Sequence, residues 1–188
     1  MTEPKSSAHG ITWNFEGLYN SLDDPKLKAD LEAVVKGAEE FAGKYRELIG
    51  PELEPARLKG ALDELEALVR GMRKPYYYAH LRFAQCTTDK KVGAVKQMAE
   101  EYYVKAQKPI IFFDLEWCKL DDENASRIMA DPALDKYRHY LEAARLMKPH
   151  KLSENEEKLI ASLELSGRTA FVRLFDAVSY THLRAHET

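Results

Sequence analysis

Apolar residues recur every three or four positions over most of this chain, and the recurrence predicts helix after helix. Leu27, Leu31, Val34, Val35, Ala38, Phe41, Ala42, Tyr45, Leu48 and Ile49 form one stripe, opened by Asp24-Pro25 and stopped by Gly50-Pro51. Aspartate there can accept from free amides, and proline at the first helical position loses no bond. A second stripe starts near Pro55 with Leu58, Ala61, Leu62, Leu65, Leu68, Val69 and Met72. Pro75 predicts a kink or short break near Lys74, since it lacks an amide proton and crowds the preceding turn. The stripe resumes through Tyr76, Tyr77, Tyr78, Leu81 and Phe83, ending around Thr87-Thr88.

A third stripe begins at Asp89 with Val92, Val95, Met98, Ala99, Tyr102, Tyr103 and Ala106, and Pro109 predicts a bend before Ile110, Phe113 and Trp117. A short helix is expected over Glu123 to Ala130. Asp131-Pro132 opens another, with Tyr137, Tyr140, Leu141, Ala144 and Met147 inward. Ser153 and Glu156 have capping-box spacing ahead of Leu159, Ile160, Leu163, Ala170, Phe171, Leu174 and Phe175. Gly167 is expected inside that last helix, with a neighbour packed close. Pairs such as Glu40/Lys44, Glu101/Lys105 and Glu154/Lys158 mark solvated faces. No segment alternates with period two. The expected fold is all-α, an elongated bundle of about six to seven antiparallel helices without a sheet.

Three stretches are expected: a loose tail over 1–10, a helical body over 11–178, and a foreign tail over 179–188, where the apolar period stops. Ser179 to Thr188 resembles a translated sequencing adapter. Net charge is -3, so no basic surface for nucleic acid is expected. No apolar run reaches the roughly 18 residues that cross a bilayer, and the first residues have no signal core. Cytoplasm is the expected compartment, with no membrane partner. Cys86 and Cys118 lack CxxC partners and read as two buried or half-buried thiols.

Candidate chemistry is sparse. The histidines are His9, His80, His139, His150, His182 and His186. A helical zinc site needs two histidines four apart on one face with a glutamate between them as base. His182 and His186 have that separation but no intervening glutamate, and His186-Glu187 lacks the later histidine. No catalytic or metal residue is therefore assigned. His139 and His150 read as surface positions, and His80 as a partly buried packing residue. An unrecognised enzyme built on these three histidines has no supporting spacing. Consecutive helical positions diverge by about 100°, so each tyrosine run must turn one ring outward. Tyr77 and Tyr103 are the ligand-contact candidates, although most of these rings should be core.

Taken in order, several segments resemble one known family. They are Trp13-Asn14-Phe15-Glu16-Gly17-Leu18-Tyr19, Tyr76-Tyr77-Tyr78-Ala79-His80-Leu81 and Phe112-Phe113-Asp114-Leu115-Glu116-Trp117. Tyr137-Arg138-His139-Tyr140-Leu141-Glu142 with Arg145, then Lys148 to Glu157, are the most specific; Gly167-Arg168-Thr169-Ala170 and Leu174-Phe175-Asp176 follow. Over roughly 11–178 the chain resembles the amino-terminal region of the oligoendopeptidase F family, relatives of thimet-type zinc oligopeptidases. The resemblance implies a helical wall of a deep substrate cleft. It implies zinc and HExxH in a carboxy-terminal catalytic half that this sequence lacks, and short peptides as substrate of the intact parent. The chain alone is then expected to bind no zinc and to be inactive. The alternative is a free-standing helical interaction module. A broad exposed apolar surface favours the first reading and a closed one the second.

Overall fold

The computed structural model describes residues 13–185, so the expected tail over 1–10 lies outside it. Seven α-helices and two short 3-10 turns account for most of the described residues, and no strand occurs among them. Helix α1 is Pro25–Tyr45, α2 Pro55–Gln85, α3 Lys90–Lys119 and α4 Asp122–Met129. A 3-10 turn, Pro132–Tyr137, leads into α5, Arg138–Leu146; a second, Lys148–His150, precedes α6, Glu154–Ser166, and α7, Arg168–Ala185.

The starts follow local chemistry. Asp24 caps α1 by accepting from the Lys26 amide, Asp89 caps α3 by accepting from Lys91 and Val92, and Ser153 with Glu156 completes a capping box on α6. The stops are less faithful to the pattern. Helix α1 ends at Tyr45 rather than running to Ile49, because Glu47 takes a left-handed φ of 62° and donates its amide to Glu116 Oε1 at 2.9 Å. Leu48 and Ile49 still pack against the core beyond the helix end.

Neither internal proline ends its helix, so the short break expected near Lys74 does not occur. Pro75 lies within an uninterrupted α2, and Pro109 within an uninterrupted α3. Each removes one amide donor, a cost that packing along the helix offsets. Pro75 itself is buried.

Helices α1 to α3 run up, down and up. Leu27 of α1, Tyr78 of α2 and Ala99 of α3 meet at one end, with Phe15 and Tyr19 closing it. At the other, Phe41 and Tyr45 of α1 meet Leu58 and Leu62 of α2 and Phe112, Phe113 and Trp117 of α3. Between them Val34, Ala38, Met72 and Ala106 make a thin waist. At 1.5 Å per residue, α3 is about 45 Å long. Its far end is tied to α5: Trp117 Nε1 donates to the Leu141 carbonyl at 2.9 Å, and Arg145 donates to the carbonyls of Trp117 and Leu120 at 2.9 and 3.0 Å.

The remaining helices depart from the expected burial. Leu141 is inward as the spacing implied, but Tyr140 and Met147 are exposed. Helix α6 rests on α3, while α7 packs chiefly on α6. Gly167 is not inside one long helix but separates two. A Cβ there would stand 2.8 Å from the Leu163 carbonyl oxygen, so the close neighbour is the preceding turn's own backbone. Helical backbone also continues past Val178, where the apolar period fades, to Ala185. Glu40 pairs with Lys36 and Lys44 with Glu64, instead of with each other; Glu154 pairs with Lys158 as expected.

Phe113 is 1% exposed and Leu163 54% exposed. Phe113→Ala should lower unfolding stability by about 3–5 kcal/mol, whereas Leu163→Ala should stay within about 0.5 kcal/mol; urea denaturation followed by circular dichroism measures both.

Candidate functional site

Helix α6 does not lie flush on α3. Between them, with Tyr76 of α2 at the inner end, is an open cleft of about 410 Å³. Helix α3 supplies Glu100, Tyr103 and Asp114; α6 supplies Ile160 and Glu164; Arg168 stands at the start of α7. The separation is set at one end by an ion pair. Arg46, just past α1, grips Glu154 of α6 with two parallel hydrogen bonds of 3.0 Å each.

Glu100 is the most unusual group in this cleft. It is an acid 4% exposed. Its Oε1 has His80 Nε2 at 3.3 Å and Lys96 Nζ at 3.7 Å. Its Oε2 is buried and has no hydrogen-bond partner. Burial opposes ionisation of this carboxyl, but the adjacent His80 imidazole and Lys96 ammonium outweigh it and hold it below the usual carboxylate range. Above it the rings of Tyr76 and Tyr103 stand 4.9 Å apart, and His80 packs on Tyr76 at 4.2 Å. Burial, with Glu100 nearby, raises the Tyr76 phenol. Tyr140 donates to Asp114 at 2.5 Å.

The two tyrosines singled out from the sequence part company. Tyr103 faces the cleft. Tyr77 is 53% exposed and sits in a shallow depression beside Leu18, Val69 and Arg73. Tyr78 is core. His80 is the half-buried packing residue the sequence suggested, and His139 and His150 are exposed. Cys118 is buried, with burial raising its thiol, and donates to the Ala144 carbonyl at 3.3 Å; Cys86 is exposed, contrary to expectation, because α2 has already ended at Gln85. His186 lies outside the described residues, as does the His182 side chain.

Glu100 escaped the sequence reading. The signal was present: Val92, Lys96, Glu100 and Val104 are four apart on one row of α3, and all four are buried. Two charges on an otherwise apolar row imply that they meet a partner.

Zinc does not fit these residues. Among the described residues no three of His, Cys, Asp and Glu converge to hold a metal ion. His80 and Glu100 are a pair, and the third neighbour is an ammonium. No described helix is long and apolar enough to cross a membrane.

An all-α body with a side cleft is a class of architecture shared by many proteins; the comparisons narrow it. The family described as Oligopeptidase F matches residues 116–180. Group B oligopeptidase PepB of Streptococcus agalactiae is 34% identical over 95 residues, 50% of this chain and 16% of that protein. The plasmid oligoendopeptidase F of Lactococcus lactis subsp. cremoris is 26% identical over 160 residues, 81% of this chain and 25% of that protein. A crystal structure from Chlamydophila abortus, by its name a peptidase, superposes with a TM-score of 0.57 at 22% identity, over 86% of this chain and 28% of that one. The last likeness concerns the fold alone. Together the sequence matches bear out the resemblance to the amino-terminal region of oligoendopeptidase F, and the chain spans a quarter or less of the length of the two relatives named.

The Arg46–Glu154 grip makes the seating of α6 sensitive to acid. Hydrogen bonds from Arg46 and then Lys158 lower the Glu154 carboxyl from 4.5 to about 2. A depressed carboxylate stabilises the fold above its unfolded value and loses that contribution as pH falls through the folded one. Glu154→Gln should therefore be less stable than the parent at neutral pH, and the gap should close between about pH 4.5 and 2. Urea midpoints across that range check it.

Proposed function

We propose that this chain is the amino-terminal, non-catalytic part of a metallopeptidase that hydrolyses short peptides, and that it forms one wall of the substrate cleft. The oligopeptidase matches carry the reading. Peptide hydrolysis at neutral pH needs an activated water and a stabilised oxyanion. In this reading zinc and the residues around it belong to the remainder of the protein, and Tyr103 and Tyr77 are contacts for peptide passing along the wall.

A second observation supports the same reading over a self-contained module. Leu159 and Leu163 of α6, and Phe171, Leu174 and Phe175 of α7, are each more than half exposed. So large an apolar flank is unusual on a finished monomer. We assign it to the catalytic part of the same protein, because the relatives run on for most of their length beyond what this chain matches.

Purified, the 188-residue chain should carry no stoichiometric zinc and should not cleave a fluorogenic oligopeptide. Metal analysis and a fluorescence assay test this; stoichiometric zinc with turnover overturns it.

The flank itself should bind a hydrophobic fluorescent dye. Replacing Phe171 and Phe175 with serine together should cut that signal while changing stability by no more than about 0.5 kcal/mol per site. An unchanged signal would show that Phe171 and Phe175 do not form a dye-accessible apolar surface.

A further inference from the structure

We infer that the cleft between α3 and α6 is a binding site for an organic ammonium group carried on an apolar or aromatic stem. The carrying observation is Glu100, buried in the cleft wall with His80 Nε2 3.3 Å and Lys96 Nζ 3.7 Å from one oxygen and the other oxygen without a hydrogen-bond partner. A buried, ionised carboxylate oxygen is costly to leave without a donor. A ligand's ammonium supplies one, with charge, beside a side chain that is itself buried.

The surroundings select the same chemistry. Tyr76 and Tyr103 present adjacent rings, whose electron-rich faces attract cations and pack against apolar stems. Along the rest of the lining, carboxylates outnumber cations: Asp114, Glu157 and Glu164 join Glu100, against Lys151 and Arg168. Several of these acids are already engaged. Asp114 accepts from Tyr140, Glu157 from the Leu152 amide and Glu164 from Arg168. Glu100 Oε2 differs from them in being buried without a hydrogen-bond partner. Neutral ligands would gain only the apolar contact, and an anion would bring Glu100 Oε2 no donor.

This deepens the peptide reading, since an ammonium is what a peptide's amino terminus or a lysine side chain presents. The test reads the cleft directly, so its failure leaves the family reading standing. The full 188-residue chain, with its tyrosine rings isotope-labelled, is titrated with benzylammonium and, separately, with benzyl alcohol. Tyr76 and Tyr103 resonances are assigned from Tyr76→Phe and Tyr103→Phe. Benzylammonium should shift both rings saturably with a Kd on the order of a millimolar, as a ligand this small permits. Benzyl alcohol should shift them little. Glu100→Gln should weaken the ammonium response about tenfold, the loss of one charge-assisted contact. Alanylalanine amide and N-acetyl-lysine methylamide then distinguish a terminal ammonium from a side-chain one. Equal responses to the ammonium and the alcohol, or none at either ring, overturn the proposal, and that comparison stands even if Glu100→Gln does not fold.

Discussion

The structure depends on α3 remaining one helix across Pro109. Proline there deprives the Lys105 carbonyl of its usual partner, and an isolated helix would tend to bend at that point. Here the residues after the proline are pinned: Phe112 and Phe113 lie in the core with Phe41, and Trp117 is anchored to the Leu141 carbonyl. Because the helix is continuous across the proline, a single element serves two environments. Its Phe112, Phe113 and Trp117 close the core, while its Glu100, Tyr103 and Asp114 make a wall of the cleft.

Helix α6 shows why the periphery reads differently from the centre. Ile160 and Glu164 turn toward the cleft, while Leu159 and Leu163 are outside its lining and more than half exposed. A helix that is apolar on more than one side is one that expects to be covered on more than one side. Its amino terminus is nonetheless well fixed, by the capping box and by Arg46. The cleft is therefore bounded by a helix that is secured at its start and only partly enclosed along its length.

Much of this was legible in the residues. The caps at Asp24, Asp89 and Ser153, the stripes of α1 to α3 and the helical class all follow from local rules, and the family likeness follows from ordered segments. What the spacing does not carry is whether a given stripe is covered. Spacing tells which residues share a face, but not whether another element reaches that face. Hence Tyr140 and Met147, expected inward, are exposed. Pro75 makes no break in α2 because long-range packing outweighs one missing hydrogen bond. Glu100 was hidden for the opposite reason. Its role comes from His80 on another helix, which no spacing within α3 can announce.

Gly167 leaves a last consequence. The direction in which α7 departs is set where a side chain would collide with the Leu163 carbonyl oxygen, so the angle between two helices hangs on the absence of a single carbon. Any other residue would have to push the preceding turn aside and would steer Phe171, Leu174 and Phe175 to a new bearing. The smallest side chain in the protein thus acts as the pivot that aims its greasiest surface.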